Sequence, residues 1–216
     1  MERITITFFL FAMVFITSWN CNGLCDVDKM KMVFNLFDDR KYDIVALQET
    51  HWKDNFIDNY KHLWNGVIFH DSTNTSSKGV AFLVKNNIKT NIEKVNGFDG
   101  RYLHIKYKEN DNKCDIINVY APNDVKERTL FFNNIKEAMP RTSTSLIVIG
   151  DFNNTFANID RCGKTTHRYD QSYKALTDMM TEHNVVDIWR RRNENKKVFS
   201  RKVVRENLLV QSKIDS

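Results

Sequence analysis

Short runs rich in apolar and β-branched residues recur along the chain, at Val14–Trp19, Asp43–Gln48, Gly66–His70, Gly79–Val84, Tyr102–Tyr107, Asp115–Tyr120 and Leu146–Ile149. Their length and composition predict strands. Between some of them the apolar spacing changes to a helical period. Met30, Val33, Phe34 and Phe37 fall at i, i+3, i+4 and i+7, Phe131, Ile135 and Ala138 repeat the pattern until Pro140 stops it, and Tyr173, Leu176 and Met180 follow a similar stripe. Strands grouped together, with a few helices interspersed instead of strict βαβα alternation, predict two sheets packed face to face with helices outside. The result is a layered α/β sandwich whose strand ends are expected to converge on one rim.

No internal repeat, low-complexity tract or Pro/Gly-rich linker divides the 216 residues, a length that suits one domain with a real core. With 42% hydrophobic and 12% aromatic residues and two prolines, disordered and collagen-like classes are excluded. The apolar stretch Ile4–Ile16, "ITITFFLFAMVFI", is shorter than the roughly 20 residues of a membrane-spanning helix. As a secretory signal it has a suitable apolar length, but Glu2 offsets Arg3, no small-x-small cleavage site follows, and cleavage would remove the expected first core strand, "FITSWN". Residues 1–12 are therefore expected to be an apolar extension of a domain spanning 13–216, with a signal peptide as the alternative.

The net charge of +5 and pI near 8.9 favour a polyanionic partner. Charge is also uneven, since Trp189–Lys202, "WRRRNENKKVFSRK", holds seven basic residues against one Glu. A solvated surface loop and a phosphate-tracking segment both fit that run. Cys21, Cys25, Cys114 and Cys162 form no C-x-x-C pair and have no zinc-like histidine spacing. Reduced thiols in an intracellular protein, nuclear or cytoplasmic, are expected.

Four strands end in residues that catalysis uses. "TSWNCNG" leaves Asn20 and Asn22, "DIVALQETH" leaves Gln48, Glu49 and His51, "IINVYAPN" leaves Tyr120 and Asn123, and "LIVIGDFNN" leaves Asp151 and Asn153. Each alone suits a turn. Brought to one rim they form a cup with a hard-metal ligand, phosphate-facing donors and a base. Mg²⁺ takes one or two carboxylate oxygens and keeps its other positions for water and phosphate, which makes Glu49 with Asn20 a partial site. Phosphodiester hydrolysis then needs a water-orienting group, for which Asp151 serves, and donors on the phosphate oxygens, for which Asn153 and Tyr120 serve.

In order along the chain, "SWNCNGL", "DIVALQETHW", "GVAFLV", "INVYAPN", "GDFNN", "NIDR" and "QSKID" resemble the endonuclease/exonuclease/phosphatase superfamily. The wording is most similar to the endonuclease domain of LINE-type (non-LTR) retrotransposons, itself related to exonuclease-III-type abasic endonucleases. The resemblance runs from about Ile16 to Asp215. It implies a four-layer αββα sandwich of two mostly antiparallel sheets and a monomeric domain acting on DNA. Mg²⁺, or Mn²⁺ in its place, is the implied cofactor, with no small-molecule cofactor and no membrane partner. Asn20 and Glu49 would lie at the metal, Tyr120 at the scissile phosphate, and Asp151 and Asn153 at the attacking water and the phosphate. Asn22, Arg161, Ser200 and Ser212 would face the substrate, and Asp215 in "S-K-I-D" matches the family Asp that orients a catalytic histidine.

That histidine belongs to a "S-D-H" segment a few dozen residues further on, whereas this chain stops at Ser216. None of its six histidines follows Ser-Asp. The expectation is a domain truncated before its last strands and impaired as an enzyme, because single electrostatic contributors of this kind are worth about 3 to 4 kcal/mol. An abasic-site repair nuclease and a catalytically inactive nucleic-acid-binding remnant are the competing readings.

Overall fold

Central strands that must be buried on both faces read as unbroken apolar runs, and "IVALQ" and "VAFLV" become such strands. The computed structural model describes residues 5–8, 14–53, 55–74, 77–142, 145–162, 169–199, 201–205 and 208–212. The chain divides into two compact units, one of residues 4–120 with 142–150, the other of 1–3, 121–141 and 151–216.

The first unit contains two sheets. Strands β1 (Thr5–Phe8), β2 (Phe15–Asn20), β3 (Ile44–Gln48), β4 (Gly66–Asp71) and β5 (Val80–Lys85) form a sheet in the order β1-β2-β3-β5-β4. The second sheet takes the order β6-β7-β8-β9, from β6 (Ile92–Phe98), β7 (Tyr102–Glu109), β8 (Asn112–Tyr120) and β9 (Leu146–Asp151). Alternate side chains fill two separate cores. Ile44 and Ala46 of β3 and Val80, Phe82 and Val84 of β5 pack with Leu103, Ile105, Ile116 and Ile149 of the facing sheet. Their neighbours Val45, Leu47, Ala81 and Leu83 pack on the other face with Met30, Val33, Phe34 and Phe37 of helix α1 (Val27–Asp38). A sandwich of two face-to-face sheets with a helix outside follows directly from that alternation.

Each sheet has one parallel pair. β2 and β3 pair in parallel from Ile16↔Ile44 to Asn20↔Gln48, and α1 lies between them in the chain. In the second sheet Asp115 N–H donates to Ser145 O at 2.9 Å and Ala121 N–H to Asp151 O at 2.8 Å, equal steps in the same direction, so β8 and β9 also run parallel. Their crossover carries α2 (Val125–Ala138). The other pairs with a determined register in these two sheets are antiparallel.

The second unit holds α2, α3 (Gln171–Glu182), α4 (Ile188–Arg192) and a small sheet of β10 (Arg161–Cys162), β11 (Arg201–Arg205) and β12 (Leu208–Ser212) in the order β10-β12-β11. Among the described residues each of the four α-helices starts on an aspartate, Asp26, Asp124, Asp170 or Asp187, whose side chain accepts a first-turn N–H. The stripe on α3 is turned from the expected one. Ser172, Ala175, Leu176 and Met179 are buried, while Tyr173 and Met180 stay half-exposed. The cause is a polar anchor: Ser172 Oγ accepts from Arg128 Nε of α2 at 3.0 Å and donates to Asp170 at 2.5 Å. Arg128 also donates to the carbonyls of Pro122 and Asn123 and lies 3.6 Å from Asp170. Burial pushes its pKa down while Asp170 pulls it back up.

Among the described residues no helix is long and apolar enough to cross a membrane.

Candidate active site at the strand ends

A parallel pair joined by a helix delivers two strand carboxyl ends side by side, which is where open α/β sheets bind ligands. β2 and β3 end at Asn20 and Gln48, and the chain leaves β3 through Glu49. Asn20 Nδ2 donates to Glu49 Oε1 at 2.8 Å, and Asn20 Oδ1 accepts Asn22 N–H at 3.1 Å. The loops leaving the two strands are zipped by Cys21 N–H to Gln48 O, Gly23 N–H to Glu49 O and Leu24 N–H to Thr50 O. Lys29, one turn into α1, caps the loop by donating to the carbonyls of Cys21, Asn22 and Gly23. Burial pushes the Cys21 thiol far up and keeps it protonated.

Three non-glycine residues of this rim are left-handed, Asn22 at φ 46°, Glu49 at 54° and His51 at 58°. Such conformations cluster where a site holds a side chain against its backbone preference. His51 Nε2 stands 3.7 Å from Glu49 Oε2.

Behind the rim lies a polar contact that sequence reading missed. Gln48 and Asn118 are 1% and 0% exposed in the layer between the sheets. Gln48 Nε2 donates to Asn118 Oδ1 at 2.7 Å, and Asn118 Nδ2 donates to Leu47 O at 2.9 Å and Ala81 O at 3.0 Å. One amide thus ties β8 to both β3 and β5, next to Glu49 and two residues before Tyr120. A polar residue within the apolar alternation "CDIINVY" was the available signal. Arg101 was also missed: its guanidinium lies 4.6 Å over the Tyr120 ring and donates to Tyr120 O at 3.1 Å.

Asp151 closes β9 and is 3% exposed. Gly150 before it has φ 138°, and a Cβ there would meet Val119 O at 2.1 Å, so only glycine lets β9 lie this close to β8. Asp151 Oδ1 accepts Asn153 N–H at 2.9 Å, and Asn153 Nδ2 donates to Ala121 O at 2.8 Å. Asn153, left-handed at φ 46°, is thereby held beside Asp151.

The structure brings together Asn20, Asn22 and Glu49 in one unit, where Tyr120 ends β8, and Asp151 with Asn153 in the other. Arg161 of β10 and Arg201 of β11 both stand opposite Ser212 of β12. Ser200 and Asp215 lie outside the described residues. In "NIDR" the hub is Asp160, not only Arg161: it is fully buried, accepts from Arg190 Nη2 and takes Ala157 N–H at 3.0 Å. Arg190 further donates to the carbonyls of Asn193, Glu194 and Lys196 and lies 4.9 Å over the Trp189 ring. It organises the basic loop from within, leaving Arg191, Arg192, Lys196 and Lys197 exposed.

Among the described residues no three His, Cys, Asp or Glu side chains gather as a metal cage. A single carboxylate flanked by amides still suits Mg²⁺, which is bound through one or two carboxylates with water and substrate oxygens completing its shell. The Glu49–Asn20 pair fits that donor set.

These elements define an α/β sandwich with acid and amide groups at the carboxyl ends of parallel strands. The chain belongs to the endonuclease/exonuclease/phosphatase family, whose model matches residues 17–201. Members of the family generally depend on a divalent metal. It is 29% identical over 203 residues to an uncharacterized 149 kDa protein of transposon TX1 from Xenopus laevis, covering 93% of this chain and 15% of that protein's length. The AP endonuclease LMAP of Leishmania major superposes with a TM-score of 0.69 at 14% identity, over 91% of this chain and 78% of LMAP. The endonuclease domain of TRAS1, a telomere-specific non-LTR retrotransposon, superposes with a TM-score of 0.58 at 11% identity, over 93% of this chain and 82% of that domain.

Proposed function

We propose that this chain is a retrotransposon-type DNA endonuclease domain that hydrolyses phosphodiester bonds with Mg²⁺. The observation that carries the reading is the Asn20–Glu49 bond at the joined ends of β2 and β3. It holds a carboxylate at the strand ends, on backbone that is left-handed at a glutamate. Glu49 with Asn20 would hold the ion, which supplies positive charge to the phosphate when bound. Tyr120, its ring fixed by Arg101, donates to a phosphate oxygen. Asp151 orients the attacking water, and Asn153, held by its bond to Ala121 O, presents its amide to the phosphate. The exposed basic residues after α4 supply sequence-independent attraction to DNA. Work on DNA puts the domain in the nucleus or cytoplasm.

Nicking of supercoiled plasmid with Mg²⁺ tests the reading, in the chain to Ser216 and in one extended by a Ser-Asp-His segment. Glu49→Ala and Asp151→Ala are each expected to lower the rate by about 100-fold or more, the usual loss for an electrostatic contributor. Undiminished nicking in both variants overturns these roles. Faster cleavage of abasic than of intact duplex would move the substrate to damaged DNA.

A further inference from the structure

The two oxygens of Glu49 have different neighbours. Oε1 accepts from Asn20, whereas Oε2 faces His51 Nε2 at 3.7 Å, and both side chains keep only 20% and 24% exposure. That separation exceeds the 2.7–2.9 Å typical of a closed charge-assisted hydrogen bond. It suits two donors around one ion, which at metal–ligand bonds of about 2.1 Å stand roughly 3 Å apart at a right angle and further apart at wider angles.

His51 is aimed by its surroundings. Its backbone N–H donates to Lys78 O at 2.9 Å, and its backbone carbonyl accepts from Cys25 Sγ at 3.0 Å. Its ring fills the space beside Gly23, where a Cβ would come within 2.9 Å of Nδ1. Gly23 itself is left-handed at φ 87°, so the chain gives up a side chain there and the imidazole takes the room. A solvated histidine after a turn needs none of this.

We infer that His51 Nε2 joins Glu49 as a ligand of the divalent ion and biases the site toward a first-row transition-metal ion over Mg²⁺. The inference rests on the metal-dependent nuclease reading. Imidazole nitrogen is a better donor for transition metals than for Mg²⁺, which prefers oxygen. With Glu49 and His51 as its charged and imidazole donors, the remaining positions belong to amide oxygen, water and substrate.

Mn²⁺ is the probe, followed by electron paramagnetic resonance on the whole chain, with Mg²⁺ as competitor. The wild type is expected to bind Mn²⁺ at least about ten-fold more tightly than Mg²⁺, a gap of about 1.4 kcal/mol, and to show ¹⁴N coupling from imidazole. His51→Asn tolerates the left-handed backbone. It is expected to lose the ¹⁴N signal and most of the Mn²⁺ preference while Mg²⁺ affinity changes less than two-fold. Glu49→Gln is expected to weaken both ions. Mn²⁺ bound through Glu49 without ¹⁴N coupling, and unchanged in His51→Asn, overturns the His51 assignment and leaves the nuclease reading standing. Failure of the wild type to bind either ion overturns both.

Discussion

At the scale of single residues, buried amides at the rim show how much depends on partners remote in sequence. Asn118 satisfies two carbonyls on different strands and one amide oxygen receives Gln48, so nothing in this contact is left open. Asn118→Ala takes one acceptor from the Gln48 amide, which keeps Ser18 Oγ and Ala46 O, and removes the side-chain donor to the Leu47 and Ala81 carbonyls in a dry layer, where an unmet polar group costs about 1 to 3 kcal/mol. A fall in urea-unfolding free energy of about that size is expected, and Gln48→Leu should cost less in that background than in the wild type, because the bond between the two amides is already gone. An additive double variant would mean that the two amides do not work as a pair. Gln48 and Glu49 were visible in the sequence as strand-end residues. Alternation along β3 sends Gln48 inward, whereas Glu49 stands at the rim because the chain leaves the strand there in left-handed backbone.

At the scale of elements, the runs predicted for β2, β3, β5, β7 and β8 match the observed strands to within a few residues, and the α1 stripe is exact in Met30, Val33, Phe34 and Phe37. These segments were legible because each buries a whole face. β6, "IEKVNGF", was not, because as an edge strand it buries Ile92 and leaves most of its length to solvent. The α3 stripe was misplaced because Ser172, a polar residue, occupies its buried side. Pairing of β8 with β9 depends on Gly150. Gly150→Ala must move Val119 or leave the left-handed region, and a loss of about 2 kcal/mol or more is expected. In a chain of this length that lowers the melting temperature by about 4 to 8 °C. An unchanged melting temperature would show that the β8/β9 approach is looser than described.

At the scale of the molecule, acid sensitivity should trace to His104. It is 3% exposed, its Nε2 lies 2.7 Å from Asp115 Oδ1, and Lys106 Nζ stands 3.4 Å from the same oxygen. Burial lowers its pKa, and the Asp115 hydrogen bond only partly offsets that. The unfolded chain therefore takes up a proton that the folded chain resists. Stability is full above the ordinary histidine value of about 6.5 and is lost as pH falls below it. Urea unfolding between about pH 7.5 and 5 is expected to show that fall, with a smaller slope in His104→Gln. An equal slope in the variant would assign the acid sensitivity to other groups.

Periodicity and short motifs by themselves determined the sandwich, the α1 face, the family and the residues at four strand ends, because burial of a face and strand-end polarity are written locally. Only the tertiary structure decided that Asn118 bridges two strands of the opposite sheet, that Arg101 lies over Tyr120, that Asp160 holds Arg190, and that His51 faces Glu49. In the first three of these contacts the partners meet through sheet pairing and loop closure between segments whose separation along the chain carries no spacing signal, and the fourth depends on the left-handed backbone of both its residues.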